Sequence, residues 1–315
     1  MQFTFTKLRM QNTQIGIIGM GWVGSSVALS ILQRGLCHRL LVHDIRTEIA
    51  EGEAMDLNHG SSFFPTAETQ ACSIREMRDC QAIVVTAGRG GTPGESRLDL
   101  LRENLVIAQS IARELEGFKG MLIVVANPVD VLTYFYRQFT GLPPERVLGT
   151  GTMLDTARLR EMIGRKISVD PKSIQADVVG EHGDSEVILW SKASVGSQPL
   201  RTWPGWCSKT EEEIAQDVRV AAQEIIKRKG ATNHAIGLVA ATLLKWLLRG
   251  DRRVVNISSV MHGAYGLQDV ALSVPTLIGP QGVTRLLELQ LPTHELEGLH
   301  RSAIVLQQAI ASVQP

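Results

Sequence analysis

The chain has 315 residues, of which 44% are hydrophobic and 20% charged, and its 32 Lys plus Arg balance 32 Asp plus Glu. Balanced charge excludes the one-sided field used to hold nucleic acid or an anionic membrane, so neither is expected as a partner. No apolar run reaches the roughly eighteen residues needed to cross a bilayer, and the N-terminus MQFTFTKLRMQNT lacks a signal-peptide core, so a cytoplasmic protein is expected.

The first strong signal lies at Thr13–Leu32. The β-formers Ile15, Ile17 and Ile18 run into Gly19-Met20-Gly21-Trp22-Val23-Gly24, and a helical pattern follows at once. This is the arrangement a dinucleotide pyrophosphate needs. Gly19 permits a tight turn, Gly21 leaves room for phosphate against bare backbone, and Gly24 lets the helix sit close to the strand. The helix N-terminus, with Trp22 and Val23 in its first turn, offers free N–H groups and a partial positive charge. A second strand, Arg39–His43, ends at Asp44, about twenty residues on, where an acid grips a ribose 2′-OH and repels a 2′-phosphate. NAD is therefore expected in preference to NADP.

Strand-like and helix-like segments alternate through about residue 150, the pattern of a parallel sheet covered by helices. A helix is expected near Glu48–Asn58 and strands near Glu68–Ser73, Ala82–Thr86, Met121–Ala126 and Arg146–Leu148. Nearly continuous apolar runs of this kind suit strands buried on both faces. Ligands bind beyond the carboxyl ends of such strands, which places Asp44, Thr86-Ala87-Gly88, Asn127 and the Gly149 turn on one edge. Residues 151–315 read as α+β: helices near Leu154–Ile163, Lys209–Lys227, Ala235–Leu248 and Thr293–Val313; strands ending at Val179 and near Val254–Met261 and Val270–Pro275; and a hairpin-like stretch at Glu186–Val195. No long linker separates the halves, so they are expected to share a cleft. Cys37, Cys72, Cys80 and Cys207 form no CxxC pair and no metal-ligand spacing; buried reduced thiols and no metal are expected.

Three segments could carry chemistry, and each has a plainer reading when taken alone. Gly88–Arg97 (GRGGTPGESR) makes either a mobile loop bringing the Arg97 cation over a site, or a solvated loop with a surface arginine. Asp155 and Arg158 share a helix face, either as a surface ion pair or as a site in which the planar guanidinium holds a carboxylate. His182, in Gly180–Ser185 (GEHGDS), is either a structural histidine or a proton donor working near neutrality.

These segments occur in one order with GMGWVG, AEGEAMDLNHG (Ala50–Gly60), TAG, GESRLDLLREN, VANPVDVLTY, GTGTMLDTARLR and KGAT. In that order they resemble the L-lactate/L-malate dehydrogenase family over nearly the whole chain, and VANPVDVLTY, LDTARLR and VGEHGDSEVILWS resemble its lactate branch. The resemblance implies a Rossmann-type doubly wound parallel sheet at 1–150, with residues 1–12 as an N-terminal arm, followed by an α+β catalytic domain at 151–315. It implies that His182 is the general acid/base, Asp155 its carboxylate partner, and Arg97 the loop cation that polarises the 2-oxo group. Arg158 would hold the substrate carboxylate, Asn127 would sit by the nicotinamide and substrate, and Thr232 would line the substrate pocket.

One position departs from the family pattern. Six residues before the loop arginine, where the family carries glutamine for lactate or arginine for malate, stands Gly91. Glycine cannot pair a second carboxylate and opens space, which favours pyruvate or a bulkier 2-oxo acid. Malate chemistry would have to borrow Arg89, and a non-catalytic NAD-binding protein is the alternative of another class. The resemblance further implies a homodimer or homotetramer. Of the arginine and histidine with which many bacterial lactate dehydrogenases bind fructose 1,6-bisphosphate, only the arginine is matched, by Arg160; Gln175 stands at the histidine position, so weak or absent activation is expected.

Overall fold

The computed structural model describes residues 12–91 and 96–313, apart from the side chain of Arg97. The expected N-terminal arm and residues 92–95 of the Arg97 loop lie outside the described residues.

In the first half, strands β1 (Gln14–Ile18), β2 (Arg39–His43), β3 (Glu68–Ala71), β4 (Ala82–Val85), β5 (Met121–Val124) and β6 (Val147–Gly149) alternate with helices α1 (Trp22–Gln33), α2 (Thr47–His59), α3 (Arg97–Glu114) and α4 (Val129–Thr140). All six strands pair in parallel, in the spatial order β3-β2-β1-β4-β5-β6. The order reverses at β1, and a doubly wound sheet opens its ligand crevice beside such a switch point. The apolar runs behave as two-faced strands must. Ile15, Ile17, Ala82 and Val84 join α1 in one core, while Ile18, Ile83, Val85 and Val124 join α3 and α4 in the other.

The second half begins with α5 (Met153–Ile167). Three short strands follow: β7 (Ile174–Gln175), β8 (Val178–Val179) and β9 (Val187–Ile188). Then come β10 (Ser194–Val195), β11 (Gln198–Pro199), α6 (Ser208–Lys229), α7 (His234–Arg249), β12 (Arg253–His262), β13 (Gln268–Gly279), β14 (Gly282–Leu286) and α8 (Thr293–Ala311). Strands β12–β14 do not form a separate sheet. They add antiparallel to β6, through Ser258 opposite Gly149, and extend the parallel sheet to nine strands. Helix α7 packs on α1 so closely that a Cβ on Gly237 would come within 2.7 Å of the Ser26 backbone. Asn233 ties the same crossing by donating to the Ser26 hydroxyl at 2.8 Å. The halves therefore share both a sheet and a core.

Two expectations are corrected. Glu186–Val195 is not one hairpin: β9 folds back on β8, and β10 pairs with β7 and β11. These strands are two residues long, too short for a period-two pattern to declare partners. Cys37 and Cys80 are buried as expected, but Cys207 is exposed, because it stands in the loop leading into α6 rather than on a packed face.

Candidate active site

At the end of β1, Gly19 has φ +99°, in the left-handed region that favours glycine, and a Cβ there would lie 2.5 Å from the Ala87 nitrogen. A Cβ on Gly24 would lie 1.9 Å from the Gly19 carbonyl oxygen, so only glycine lets α1 approach. Gly21 has, among the described residues, no heavy atom within 4 Å of a Cβ built on it. It caps α1 without any side-chain hydrogen bond, which leaves the first-turn N–H groups of Trp22, Val23 and Gly24 for an anion. Thr86 donates to the Gly19 carbonyl at 2.6 Å and holds the turn against β4. Asp44 accepts from the Met20 N–H at 2.8 Å and from the Arg46 N–H at 3.0 Å. Its carboxylate is thus fixed beside the glycine turn, with lone pairs to spare.

On the neighbouring edge, Asn127 is exposed at the end of β5, and its carbonyl accepts from Asn104 at 3.3 Å. Asn104 is itself 2% exposed, exchanges hydrogen bonds with both backbone groups of Arg89, and packs under Gly88. It staples the stem of the Arg97 loop to the rim of the crevice. Gly91 is exposed just before the undescribed 92–95, and Arg97 opens α3 behind the Ser96 cap. Arg89 does not stand idle: its guanidinium pairs with Glu103 of α3.

The chemical groups of the second half meet. Asp155 is 2% exposed in the first turn of α5. One of its oxygens accepts from Arg158 at 2.7 Å, and the other lies 2.5 Å from His182 Nδ1. The pair read from helical spacing is therefore an enclosed bridge between two cations, not a surface ion pair. Burial alone would push the His182 imidazolium down; Asp155, by charge and by hydrogen bond, outweighs it and brings the pKa up to about 9. Burial would likewise lift Asp155, but His182 and Arg158 hold its carboxyl below the usual carboxylate range. The bond at Nδ1 fixes the ring, and no described residue hydrogen-bonds Nε2.

Asp130 ties this cluster to the dinucleotide edge. It lies in the first turn of α4, three residues after Asn127, and accepts from the His182 backbone N–H at 2.7 Å. It is fully enclosed, and burial pushes its pKa up to about 6. Sequence reasoning passed over Asp130, Asn104 and Glu186. The available signal was a lone acid within Val129–Tyr136, a run that is buried throughout, because an acid in such a run must have a partner. Thr232 is half-buried in the loop between α6 and α7, next to the Asn233 that bonds α1. Arg160 is occupied within its own half: it donates to the Ala176 carbonyl at 2.9 Å and to Asp177 at 3.0 Å.

Residues 13–149 match the lactate/malate dehydrogenase NAD-binding domain, and residues 152–314 match the lactate/malate dehydrogenase α/β C-terminal domain. The chain belongs to the lactate/malate dehydrogenase family. Among relatives of this dehydrogenase family, the L-lactate dehydrogenase of Synechococcus sp. (strain JA-3-3Ab) is 42% identical over 95% of this chain and 98% of that protein. L-lactate dehydrogenase 2 of Enterococcus faecalis is 38% identical over 98% and 99%. The minor L-lactate dehydrogenase of Enterococcus mundtii, solved in a ligand-bound form, superposes with a TM-score of 0.94 at 35% identity, covering 96% of this chain and 99% of that one.

The first half of this dehydrogenase is thus an NAD-binding domain, and its residues fit the cofactor. The open backbone at Gly21, the uncapped start of α1 and the anchored Asp44 carboxylate provide an anion cradle and a hydroxyl acceptor, as a pyrophosphate and a ribose require. Among the described residues no helix is long and apolar enough to cross a membrane.

Proposed function

We propose that this protein is an NAD-dependent L-2-hydroxy acid dehydrogenase of the lactate type, interconverting pyruvate or a bulkier 2-oxo acid and its L-2-hydroxy acid. The observation that carries the reading is the buried Asp155 bridge between His182 and Arg158. Bound NAD supplies the hydride donor or acceptor. The chain supplies the rest. His182, held by Asp155, delivers a proton from Nε2 to the 2-oxo oxygen as the hydroxyl forms, and takes it back in the reverse direction. Arg158 gives one nitrogen to Asp155 and keeps its remaining donors for the substrate carboxylate. Arg97, carried on the loop that opens α3, polarises the carbonyl; Asn127 and Thr232 bound the pocket, and Gly91 leaves its far wall open. Gly19, Gly21, Trp22, Val23, Gly24, Asp44, Thr86, Ala87, Gly88 and Asn127 line the cofactor side. Residues 1–150 thereby hold NAD and residues 151–315 the acid and the carboxylate clamp. A cytoplasmic location and a homodimeric or homotetrameric assembly complete the proposal.

A malate dehydrogenase would need Arg89 for the second carboxylate of oxaloacetate. Arg89 pairs with Glu103 at the surface, and leaving that pair would cost little, so the argument against malate rests on Gly91, which supplies no cation where the second carboxylate would lie. A non-catalytic NAD-binding protein would have no use for a buried charged bridge whose histidine keeps one nitrogen open among the described residues. Fructose 1,6-bisphosphate control is equally disfavoured, because Arg160 is committed to Asp177 and Gln175 stands at the edge of β7.

A steady-state survey of NADH oxidation with pyruvate, oxaloacetate, 2-oxobutyrate, 2-oxoisocaproate and phenylpyruvate, in wild type and Gly91→Gln, tests the reading. The substitution should raise the pyruvate to 2-oxoisocaproate ratio of kcat/KM by about 10- to 100-fold, as filling a pocket does. Oxaloacetate ranking first would favour the malate alternative, and no turnover with any of the five would remove the proposal.

A further inference from the structure

The hairpin of β8 and β9 carries the proton donor. Its register pairs Val179 with Val187, so Glu186 stands one step beyond, opposite Gly180, where the loop bearing His182 closes. The Glu186 N–H donates to the Gly183 carbonyl at 3.2 Å and completes that turn. Glycine and aspartate at the loop crest are exposed, but the Glu186 side chain points inward; the residue is 7% exposed. Its Oε1 is buried and, among the described residues, has neither a hydrogen-bond partner nor an ion pair.

Such a carboxyl is expensive to charge, because a buried oxygen without a donor loses its hydration and gains nothing in return. Among the described residues, four charged groups bear on it: Asp155 and Arg158 from α5, His182 from its own loop, and Arg219 from α6. Asp155 opposes its ionisation, while the three cations favour it. Burial dominates, and the carboxyl is pushed up to about 8.

We propose that Glu186 sets the charge of the substrate pocket, staying uncharged so that the Arg158–Asp155–His182 cluster presents net positive charge to an anionic substrate. The inference rests on the reading of the site as one for 2-oxo acids. With Glu186 neutral, the cluster holds one carboxylate against a guanidinium and an imidazolium. Once Glu186 ionises, its charge joins that of Asp130, which already faces His182, in opposing the two cations, and the carboxylate of the substrate is held less strongly. The residue acts through charge and touches no reacting atom; it is a positioning residue for the anion.

The test measures oxamate, a stable isostere of pyruvate, binding to the NADH complex, together with the KM of the 2-oxo acid that turns over best. Both are determined at pH 7 and pH 9 for wild type, Glu186→Gln and Glu186→Met. The wild type should weaken about tenfold more across this range than either variant, the factor expected when an ionising group abolishes binding one unit above its pKa. Both substitutions remove the charge at nearly constant volume, so both must leave only the shallower fall that His182 itself gives. A merely structural role would move the constants at the two pH values in parallel, and parallel profiles overturn the proposal. If the wild type binds no oxamate and turns over no 2-oxo acid at pH 7, the reading of the site falls and this inference with it; turnover with parallel profiles removes the inference alone.

Discussion

Asp155 carries two loads at once, which makes it the residue whose loss should be most informative. It neutralises the enclosed Arg158 and holds the ring of His182. Asp155→Asn keeps the shape and removes the charge. Burial then acts on the imidazolium without its main opposing charge, so its pKa falls from about 9. On the proposed mechanism, the wild-type proton on His182 is present below that value and lost as the pH rises through it. The variant should show the alkaline limb of kcat/KM moved to lower pH, together with a loss of about 10²–10⁴-fold in kcat/KM at pH 7. A pH–rate profile with the limb unmoved would mean that Asp155 does not set the protonation of His182. At this scale the sequence was informative about residue type and mute about burial. Asp155 and Arg158 at helical spacing look the same whether they face solvent or the core, and Asp130 and Glu186, though inside motifs of the resemblance, show there nothing of what they touch.

The turn into α1 shows how two glycines three residues apart do different work. Gly24 sits against the Gly19 carbonyl, so any Cβ must push strand and helix apart. Gly21 faces open space. Gly24→Ala should therefore destabilise the fold by about 1–3 kcal/mol through overpacking, seen as a lower Tm without ligand. Gly21→Ala should leave Tm close to wild type and weaken NADH in a fluorescence titration, because the added methyl occupies the space above the free N–H groups. Equal losses of Tm in the two variants would refute this division of labour. The element was legible in advance because backbone conformation and close approach impose the glycine spacing directly on the sequence. The short strands β7–β11 were not, since two-residue ladders depend on partners brought from elsewhere in the chain.

The nine-stranded sheet makes the two halves one folding unit. The joint at Gly149 is tight: a Cβ there would lie 2.3 Å from the Thr133 hydroxyl and 2.9 Å from Ser258 Cβ. Strands β12 and β13 feed the same core as α3 and α4, and α7 closes over β1 beside α1. Denaturant unfolding of the apoprotein should accordingly follow one transition, with far-UV circular dichroism and tryptophan fluorescence coincident. Fluorescence from the second half changing well before the dichroism would indicate that the halves come apart independently.

The sequence by itself determined the glycine turn, the alternation of buried strands and helices, the acid after β2 and the order of chemical segments, because each is written in local spacing and in the conformational demands of single residues. Only the tertiary structure decided that Asp155 is enclosed between two cations, that Asp130 holds the His182 backbone, that the Glu186 carboxyl is buried, that Arg89 pairs with Glu103, and that the last strands extend the first sheet. Those facts depend on which distant segments exclude water from one another; an apolar run can betray that an acid such as Asp130 is buried, but neighbouring residues do not name its partner.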